Sequence, residues 1–272
     1  MKRRLWLTRP AHQAAATTQA FSAPDVDVVS VPVMAIAPLR EPAQQQAVRD
    51  RILDFDRYDF AIFISQNAVH YGTEWLDEYW PQLPLHCQFL AVGQATATAL
   101  SAAGLPVVSE LPLTSAMNSE ALLALPALSE LKDKQILIFR GRGGRTHLGD
   151  TLRARGARVD YCELYERELP VDAPARVGDA LALGPAWLSV HSGESLQHLY
   201  QLLQDQADSY SWRTWPLLVP GARVAAMAEA MGFSHILVAD NATDGAMAAR
   251  LRQALTAAQD GVPSARAVNN EK

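Results

Sequence analysis

The chain has 272 residues, enough for two domains that each bury a core, and an ordinary apolar fraction of 49%. A net charge of −5 with no Lys/Arg-rich run excludes a general nucleic-acid binder, and no apolar run is long enough to span a bilayer. Cys87 and Cys162 are far apart and in no CxxC pattern, which excludes a disulfide framework or zinc site and leaves two buried or half-buried thiols.

The basic start Lys2-Arg3-Arg4 is not an export signal, because Thr8, Arg9 and Pro10 break the apolar stretch behind it; a cytoplasmic protein is expected. Apolar runs predict strands at Leu5–Leu7, Val26–Val33, Phe60–Ile64, Phe89–Val92 and Val107–Val108. Further strands are predicted at Ile136–Phe139, Arg158–Tyr165, Trp187–Val190, Leu217–Val219 and Ile236–Ala239. Helical patterns fall between them: His12–Phe21, Ala43–Leu53, one after Ser65, and one from Gly93 to Gly104. Asn118 or Ser119 caps a helix over Glu120–Leu125, and another runs to Arg155 with Leu148, Leu152 and Ala157 on one face. The last three follow Ser192, follow Gly221, and start at Thr243 or Asp244 to end near Ala258. Ile36–Pro42 and Pro170–Pro174 read as crossing segments, and Gln259–Lys272 as a frayed tail.

Strands that alternate with helices predict parallel sheets covered on both faces, with ligands outside the carboxyl ends of the strands. Landmarks recur along the chain. Gly93 and Gly221, Gly104 and Gly232, Ser65 and Ser192, and Arg9 and Arg140 stand at offsets of 127 to 131 residues, which predicts two copies of one α/β unit.

The stretch Ile136-Leu-Ile-Phe-Arg-Gly-Arg-Gly-Gly-Arg145 is strand, glycine turn and helix start, a design that aims backbone N–H groups at an anion. It matches neither GxGxxG nor a Walker loop, so a phosphate cofactor is not indicated. Other helix starts follow Arg9, Ser65, Gly93, Ser192 and Gly221, and an acidic group at each gains about 0.3–1 kcal/mol. Taken singly, a glycine after a strand is a tight turn, and Arg142 or Arg145 a surface charge. The seven histidines show no metal spacing, and Ser65 and Ser192 lack a nucleophile elbow and read first as caps. Tyr165 ends a strand beside a crossing segment, where packing and chemistry are equally open to it.

Leu7-Thr-Arg-Pro10, Phe63-Ile-Ser-Gln-Asn-Ala-Val69, Ala91-Val-Gly-Gln-Ala-Thr-Ala-Thr-Ala-Leu100, Leu137–Arg145 with Arg155-Gly-Ala, Tyr165-Glu-Arg167 and Ala242-Thr-Asp-Gly-Ala-Met247 together resemble the uroporphyrinogen-III synthase family to about Ala258. The resemblance implies two flavodoxin-like parallel-sheet domains, discontinuous in sequence, joined by two connecting strands with a cleft between them. It places residues 1–36 with 169–258 in one domain and 37–168 in the other. It implies closure of hydroxymethylbilane, a linear tetrapyrrole with eight carboxylates, with inversion of the last ring and loss of water, through an azafulvene and a spiro intermediate. It implies a monomer without metal or cofactor, with hydroxymethylbilane synthase as a partner for substrate handover. Tyr165 is then the catalytic candidate, as a hydrogen-bond donor to the departing hydroxyl, since a phenol is a weak acid at neutral pH. Arg9, Ser65, Asn67, Gly93, Thr96, Arg140, Gly141, Gly144, Arg145, Ser192, Gly193, Gly221 and Arg223 are the substrate-binding candidates. The sequence departs from the family at Ile64 and at Ala222-Arg223, where hydroxyl residues are usual. The competing reading is a non-catalytic two-lobed module that binds a polycarboxylate or another small anion.

Overall fold

The computed structural model describes residues 2–108, 119–206 and 210–259. Its first half runs β1 (Arg3–Leu7), α1 (Ala14–Phe21), β2 (Val26–Ser30), β3 (Ala35–Pro38), α2 (Pro42–Leu53), β4 (Phe60–Phe63), α3 (Gln66–Tyr79), β5 (Gln88–Ala91) and α4 (Gln94–Ala102). The second runs α5 (Ser119–Leu123), β6 (Gln135–Gly141), α6 (His147–Ala154), β7 (Arg158–Glu168), α7 (Ala173–Ala182), β8 (Trp187–Ser189), α8 (Gly193–Gln206), β9 (Leu217–Val219), α9 (Ala222–Ala230), β10 (Ile236–Val238) and α10 (Asp244–Gln259). No helix among the described residues is long and apolar enough to cross a membrane.

The strands form two five-stranded sheets, ordered β10-β9-β8-β1-β2 and β3-β7-β6-β4-β5. The first sheet is parallel throughout, and so are β7, β6, β4 and β5 of the second. The chain separates into two compact units, Met1–Ala35 with Glu168–Lys272 (unit 1) and Ile36–Arg167 (unit 2). It passes between them in β3 and at the end of β7, which are neighbours in one sheet.

Unbroken apolar runs make these sheets because both faces are covered. In β4 and β6, Ala61, Phe63, Leu137 and Phe139 enter one core cluster, while Phe60, Ile62, Ile136 and Ile138 enter another. The pleat sends successive side chains to opposite faces, and both faces are apolar over Phe60–Phe63 and Ile136–Phe139. In unit 1, Trp6 points to one cluster and Leu5 and Leu7 to the other. Each such fully buried side chain contributes about 1.5–3 kcal/mol. Cys87 and Cys162 are free and buried, and burial pushes the Cys87 thiol up to about 12.

In unit 1 the five strands in chain order lie in space as 2-1-3-4-5, the flavodoxin-like arrangement. Unit 2 has the same sheet entered at a different strand. Setting β1 on β6, β2 on β7, β8 on β4 and β9 on β5 keeps every neighbour, and β10 falls on Val107, which bridges to Phe89 of β5. The sequence repeats pair the same strands: Arg9 with Arg140, Ser192 with Ser65, Gly221 with Gly93. The two copies have therefore exchanged halves, each unit taking its β1–β2 or β6–β7 pair from one copy and its remaining strands from the other.

Several elements differ from expectation. Ile36–Pro42 is not plain crossing chain, because Ala35–Pro38 is β3 and Pro42 begins α2. Pro170–Pro174 is not all crossing chain either: Pro174 lies in the first turn of an unforeseen helix, α7, where a missing N–H costs nothing. β2 stops at Ser30, before Pro32 removes a ladder donor. Val107–Val108 makes a single bridge, not a strand. Ala157 is buried but lies beyond α6, since Gly156 at φ +96° ends that helix. Asn118 and residues 260–272 lie outside the described residues.

Candidate functional site

Doubly wound sheets bind ligands where strand order reverses, outside the carboxyl ends of the strands. That point lies between β4 and β6 in unit 2 and between β8 and β1 in unit 1.

In unit 2, β4 leads into Ser65, whose Oγ accepts the Ala68 N–H at 3.1 Å and caps α3. The same Oγ is 2.9 Å from the Tyr165 hydroxyl. Tyr165 is buried, stacks on Tyr71 at 5.6 Å, and lies flat against Gly141, where an added Cβ would come within 2.4 Å of its ring. A register shift in the β6–β7 ladder arranges this: Arg140 pairs with Glu163, but Gly141 pairs with Tyr165. Only glycine lets the phenol ring cross the strand there.

Beyond Gly141 the chain turns through Gly143 at φ +69° and Gly144 at φ +87°, conformations open to glycine. Arg140 holds this turn together. Its buried guanidinium donates to the carbonyls of Gly141, Gly143 and Arg145 and stacks over Tyr161 at 4.8 Å. β7 supplies the outer braces. Glu163 accepts the Gly143 N–H at 3.0 Å, Glu166 pairs with Arg142 at 2.6 Å, and Arg167 donates to the Arg142 carbonyl at 3.1 Å. The Arg142 hydrogen bond holds the Glu166 carboxyl below the usual carboxylate range.

Beside the turn lies a cavity of about 510 Å³, within the range of small-molecule sites. Arg140, Gly144, Arg145, His147, Tyr161 and Arg167 are among the residues that line it. The Arg145 guanidinium has no acceptor among the described residues. The Tyr161 hydroxyl is buried and has no hydrogen-bond partner among the described residues. Gly93, at φ +94°, caps α4 with no side chain over its first N–H groups, and Thr96 is buried in the first turn of that helix. Asn67 lies in the first turn of α3.

In unit 1 the Thr8 hydroxyl donates to the Ser189 carbonyl at 2.7 Å, joining β1 to β8 at the reversal point. Arg9 is held by the Asp244 carboxylate at 2.9 Å, by Gln13 at 2.9 Å and by the Ala242 carbonyl at 3.1 Å. Thr17 donates to the other Asp244 oxygen at 2.9 Å, and His191 Nε2 lies 3.5 Å from the first. Burial alone would raise the Asp244 carboxyl, but His191, Arg9 and Thr17 outweigh it and hold it at about 2. Burial also pushes the His191 imidazole below its ordinary value, against the pull of Asp244. Ser192 caps α8 through the Ser195 N–H at 3.0 Å, and Gly193 follows it in close packing with Met227. Gly221 caps α9, and among the described residues Arg223 of that helix reaches only the Met227 sulfur, at 3.5 Å.

The fourteen named candidates thus fall into two groups at strand carboxyl ends. Unit 2 brings together Ser65, Asn67, Gly93, Thr96, Arg140, Gly141, Gly144, Arg145 and Tyr165; unit 1 brings together Arg9, Ser192, Gly193, Gly221 and Arg223. The guanidinium groups of Arg9 and Arg140 are engaged inside their own units. Sequence reasoning did not find Glu163, Asp244, His147 and Tyr161. Asp244 stood out only as a helix cap, and nothing local signalled its tie to Arg9.

A family model described as "Uroporphyrinogen-III synthase HemD" matches residues 15–249. The chain is 35% identical over 214 residues to the uroporphyrinogen-III synthase of Escherichia coli strain K12, covering 76% of this chain and 84% of that protein. It is 36% identical over 200 residues to the enzyme of that name from Salmonella typhimurium, covering 73% and 80%. Among solved structures, a mutant uroporphyrinogen III synthase from Thermus thermophilus superposes with a TM-score of 0.62 at 20% identity, covering 95% of this chain and 99% of that one. The uroporphyrinogen-III synthetase of Helicobacter pylori 26695 gives 0.58 at 17% identity, covering 94% and 99%. At those identities the structures show a shared fold.

Proposed function

The chain belongs to the uroporphyrinogen-III synthase family, and on that premise we propose that it closes hydroxymethylbilane into uroporphyrinogen III, a lyase step of tetrapyrrole synthesis that inverts the terminal ring. The observations that carry this reading beyond the family name are the arginine-lined cavity beside the glycine turn of unit 2 and, at the strand ends of the same unit, the Ser65–Tyr165 pair.

The reaction sets a positioning problem. Loss of water from the hydroxymethyl group gives a resonance-stabilised azafulvene-type cation, and uncatalysed ring closure joins the nearest free carbon. Inversion requires attack at the substituted carbon of the last ring, then fragmentation and reclosure of the spiro intermediate. A protein that holds the chain in one bend supplies most of what this path needs. Eight carboxylates are the natural handles. Arg145 and the open helix starts are suited to them, each start contributing about 0.3–1 kcal/mol. Association costs about 4–15 kcal/mol, so several such contacts must act together.

Tyr165 is proposed to steady the departing hydroxyl by hydrogen bonding. Ser65 fixes the phenol's direction, and Gly141 lets its ring lie across the strand. The test is to supply freshly prepared hydroxymethylbilane and resolve the product isomers. The inverted isomer, formed faster than the spontaneous background, is expected. Only the uninverted isomer at the background rate would leave a polycarboxylate-binding module.

A further inference from the structure

We propose that Tyr71 of α3 is a positioning residue: its ring lies over that of Tyr165 and fixes the plane in which the phenol meets the departing hydroxyl. This rests on the assignment of Tyr165 as the hydrogen-bond donor to that hydroxyl. Ser65 Oγ stands 2.9 Å from the Tyr165 oxygen. That oxygen lies on the axis about which the ring turns, so a bond to it leaves the plane of the ring open, and the torsion itself is soft. The plane matters because a phenol O–H lies in the plane of its ring. Turning the ring turns the proton.

Tyr71 supplies the missing restraint. The two ring centroids are 5.6 Å apart and the planes 26° from parallel, a stacked pair within the range of attractive aromatic contacts. It is the ring of Tyr71 that is engaged. Its hydroxyl has no hydrogen-bond partner among the described residues, whereas that of Tyr165 is held by Ser65. Burial, and the charges of Glu74 and Tyr165, push the Tyr71 phenol above its ordinary value, so it is no acid at neutral pH.

The next residue shows how α3 comes near enough. Gly72 is buried in the middle of this helix, where glycine is the poorest helix former after proline. An added Cβ would come within 2.9 Å of the Phe63 ring and 3.3 Å of Leu164 and Phe139. Phe63 of β4 and Phe139 of β6 are themselves stacked at 4.3 Å, and Leu164 precedes Tyr165 in β7. The absent side chain lets α3 settle onto these three strands, and Tyr71, one residue earlier, is carried against Tyr165. One helix thus serves the phenol twice: its cap, Ser65, holds the oxygen, and Tyr71 in its second turn holds the plane. A group on a helix keeps its place better than one on a loop.

The experiment compares Tyr71→Leu, Tyr71→Phe, Tyr165→Phe and the double variant Tyr71→Leu/Tyr165→Phe with the wild-type chain, reading kcat and KM for hydroxymethylbilane. Tyr71→Leu is expected to lower kcat about tenfold with KM within about twofold, the mark of a misplaced catalytic group. Tyr71→Phe keeps the ring and should restore kcat to within about twofold of the wild-type value. Tyr165→Phe has no proton left to aim, so adding Tyr71→Leu should slow it by less than about twofold more, a non-additivity that packing alone does not produce. The proposal is overturned if Tyr71→Leu keeps a wild-type kcat, if Tyr71→Phe is as slow as Tyr71→Leu, or if the two losses multiply in the double variant. A Tyr165→Phe variant at the wild-type rate, or a wild-type chain that forms no inverted isomer, removes the underlying reading and the proposal with it. If Tyr71→Leu does not fold, the Tyr165 ring resonances of the wild-type chain decide the matter. Distinct signals for the two edges of the ring support a held plane, and a single averaged set overturns it.

Discussion

Arg9 and Arg140 lie at the carboxyl ends of equivalent strands of the two sheets, and the protein binds them in opposite ways. Arg9 meets a carboxylate, Asp244, with His191 and Thr17 gathered round the same group. Arg140 donates to carbonyl oxygens and stacks over Tyr161. A guanidinium on a carboxylate is a neutral clamp, and one on carbonyls keeps its full charge in the local field. The strand ends of unit 1 are thus charge-balanced around Arg9. Those of unit 2 hold Arg140 and Arg145 with no carboxylate partner among the described residues, while Arg142 is paired with Glu166. Two copies of one design have come to differ around these two arginines, and on the proposed reading the strand ends of unit 2 offer an anion the less compensated charge.

The capping serines test that division most sharply. Ser65 and Ser192 occupy the same place, but only Ser65 touches a phenol. Tyr165→Phe is expected to lower kcat about 100-fold, the scale of a lost hydrogen-bonding acid. Stability should fall by only about 1 kcal/mol, the worth of one hydrogen bond. Product affinity should be nearly unchanged. Equal losses of affinity and rate would assign Tyr165 to packing and remove the functional difference between the two strand ends.

Asp244→Ala comes next. It strands Arg9 inside unit 1, and with the pair about a quarter exposed the cost should be about 2–3 kcal/mol, some 5–10 °C in melting temperature. Glu166→Gln, at an exposed pair of unit 2, should shift the melting temperature by no more than a degree or two. Equal shifts would mean that the two arginine–carboxylate pairs do the same work and that unit 1 has no special clamp.

Much of this arrangement is legible in the chain. The unbroken runs at Phe60–Phe63 and Ile136–Phe139 can only be buried strands, and the glycines and serines behind such strands mark helix starts. The landmark offsets gave the repeat, because equivalent caps need equivalent residues. What could not be read is non-local. Arg9 and Asp244 are 235 residues apart, and no local pattern joins them. The β7 bulge that sets Tyr165 over Gly141 leaves no mark in a strand read at period two. α7 was hidden by Pro174, a residue that breaks helices in their interior and starts them at their ends.

A smaller effect separates the two caps themselves. Ser192→Ala should cost about 1 kcal/mol through the lost cap, without changing KM by more than about twofold. Ser65→Ala should cost a similar amount in stability and also slow turnover about tenfold, because Tyr165 loses the partner that aims it. Thermal unfolding beside steady-state kinetics checks both. A Ser192→Ala variant as slow as Ser65→Ala would show that unit 1's cap also serves the chemistry.

The smallest expected effect is a pH response confined to unit 1. His191 sits in the fold with its imidazole pushed below the ordinary histidine range, while the unfolded chain protonates it near 6.5. As pH falls through 6.5 the unfolded state therefore takes up a proton that the folded state refuses. Stability declines there, by at most about 1.4 kcal/mol per pH unit, and levels off once the folded form is protonated too. Asp244, held at about 2, acts in a separate window: the unfolded chain protonates it near 3.8, so its contribution is lost between there and about pH 2. The Arg140 site of unit 2 has no counterpart, because the guanidinium there donates to backbone carbonyls and not to a carboxylate beside an imidazole. His191→Gln should flatten the stability profile between pH 6.5 and 5 and leave the steeper acid limb below pH 4 in place. A profile unchanged between pH 6.5 and 5 would move that response to another histidine and take the pH asymmetry away from the Arg9 clamp.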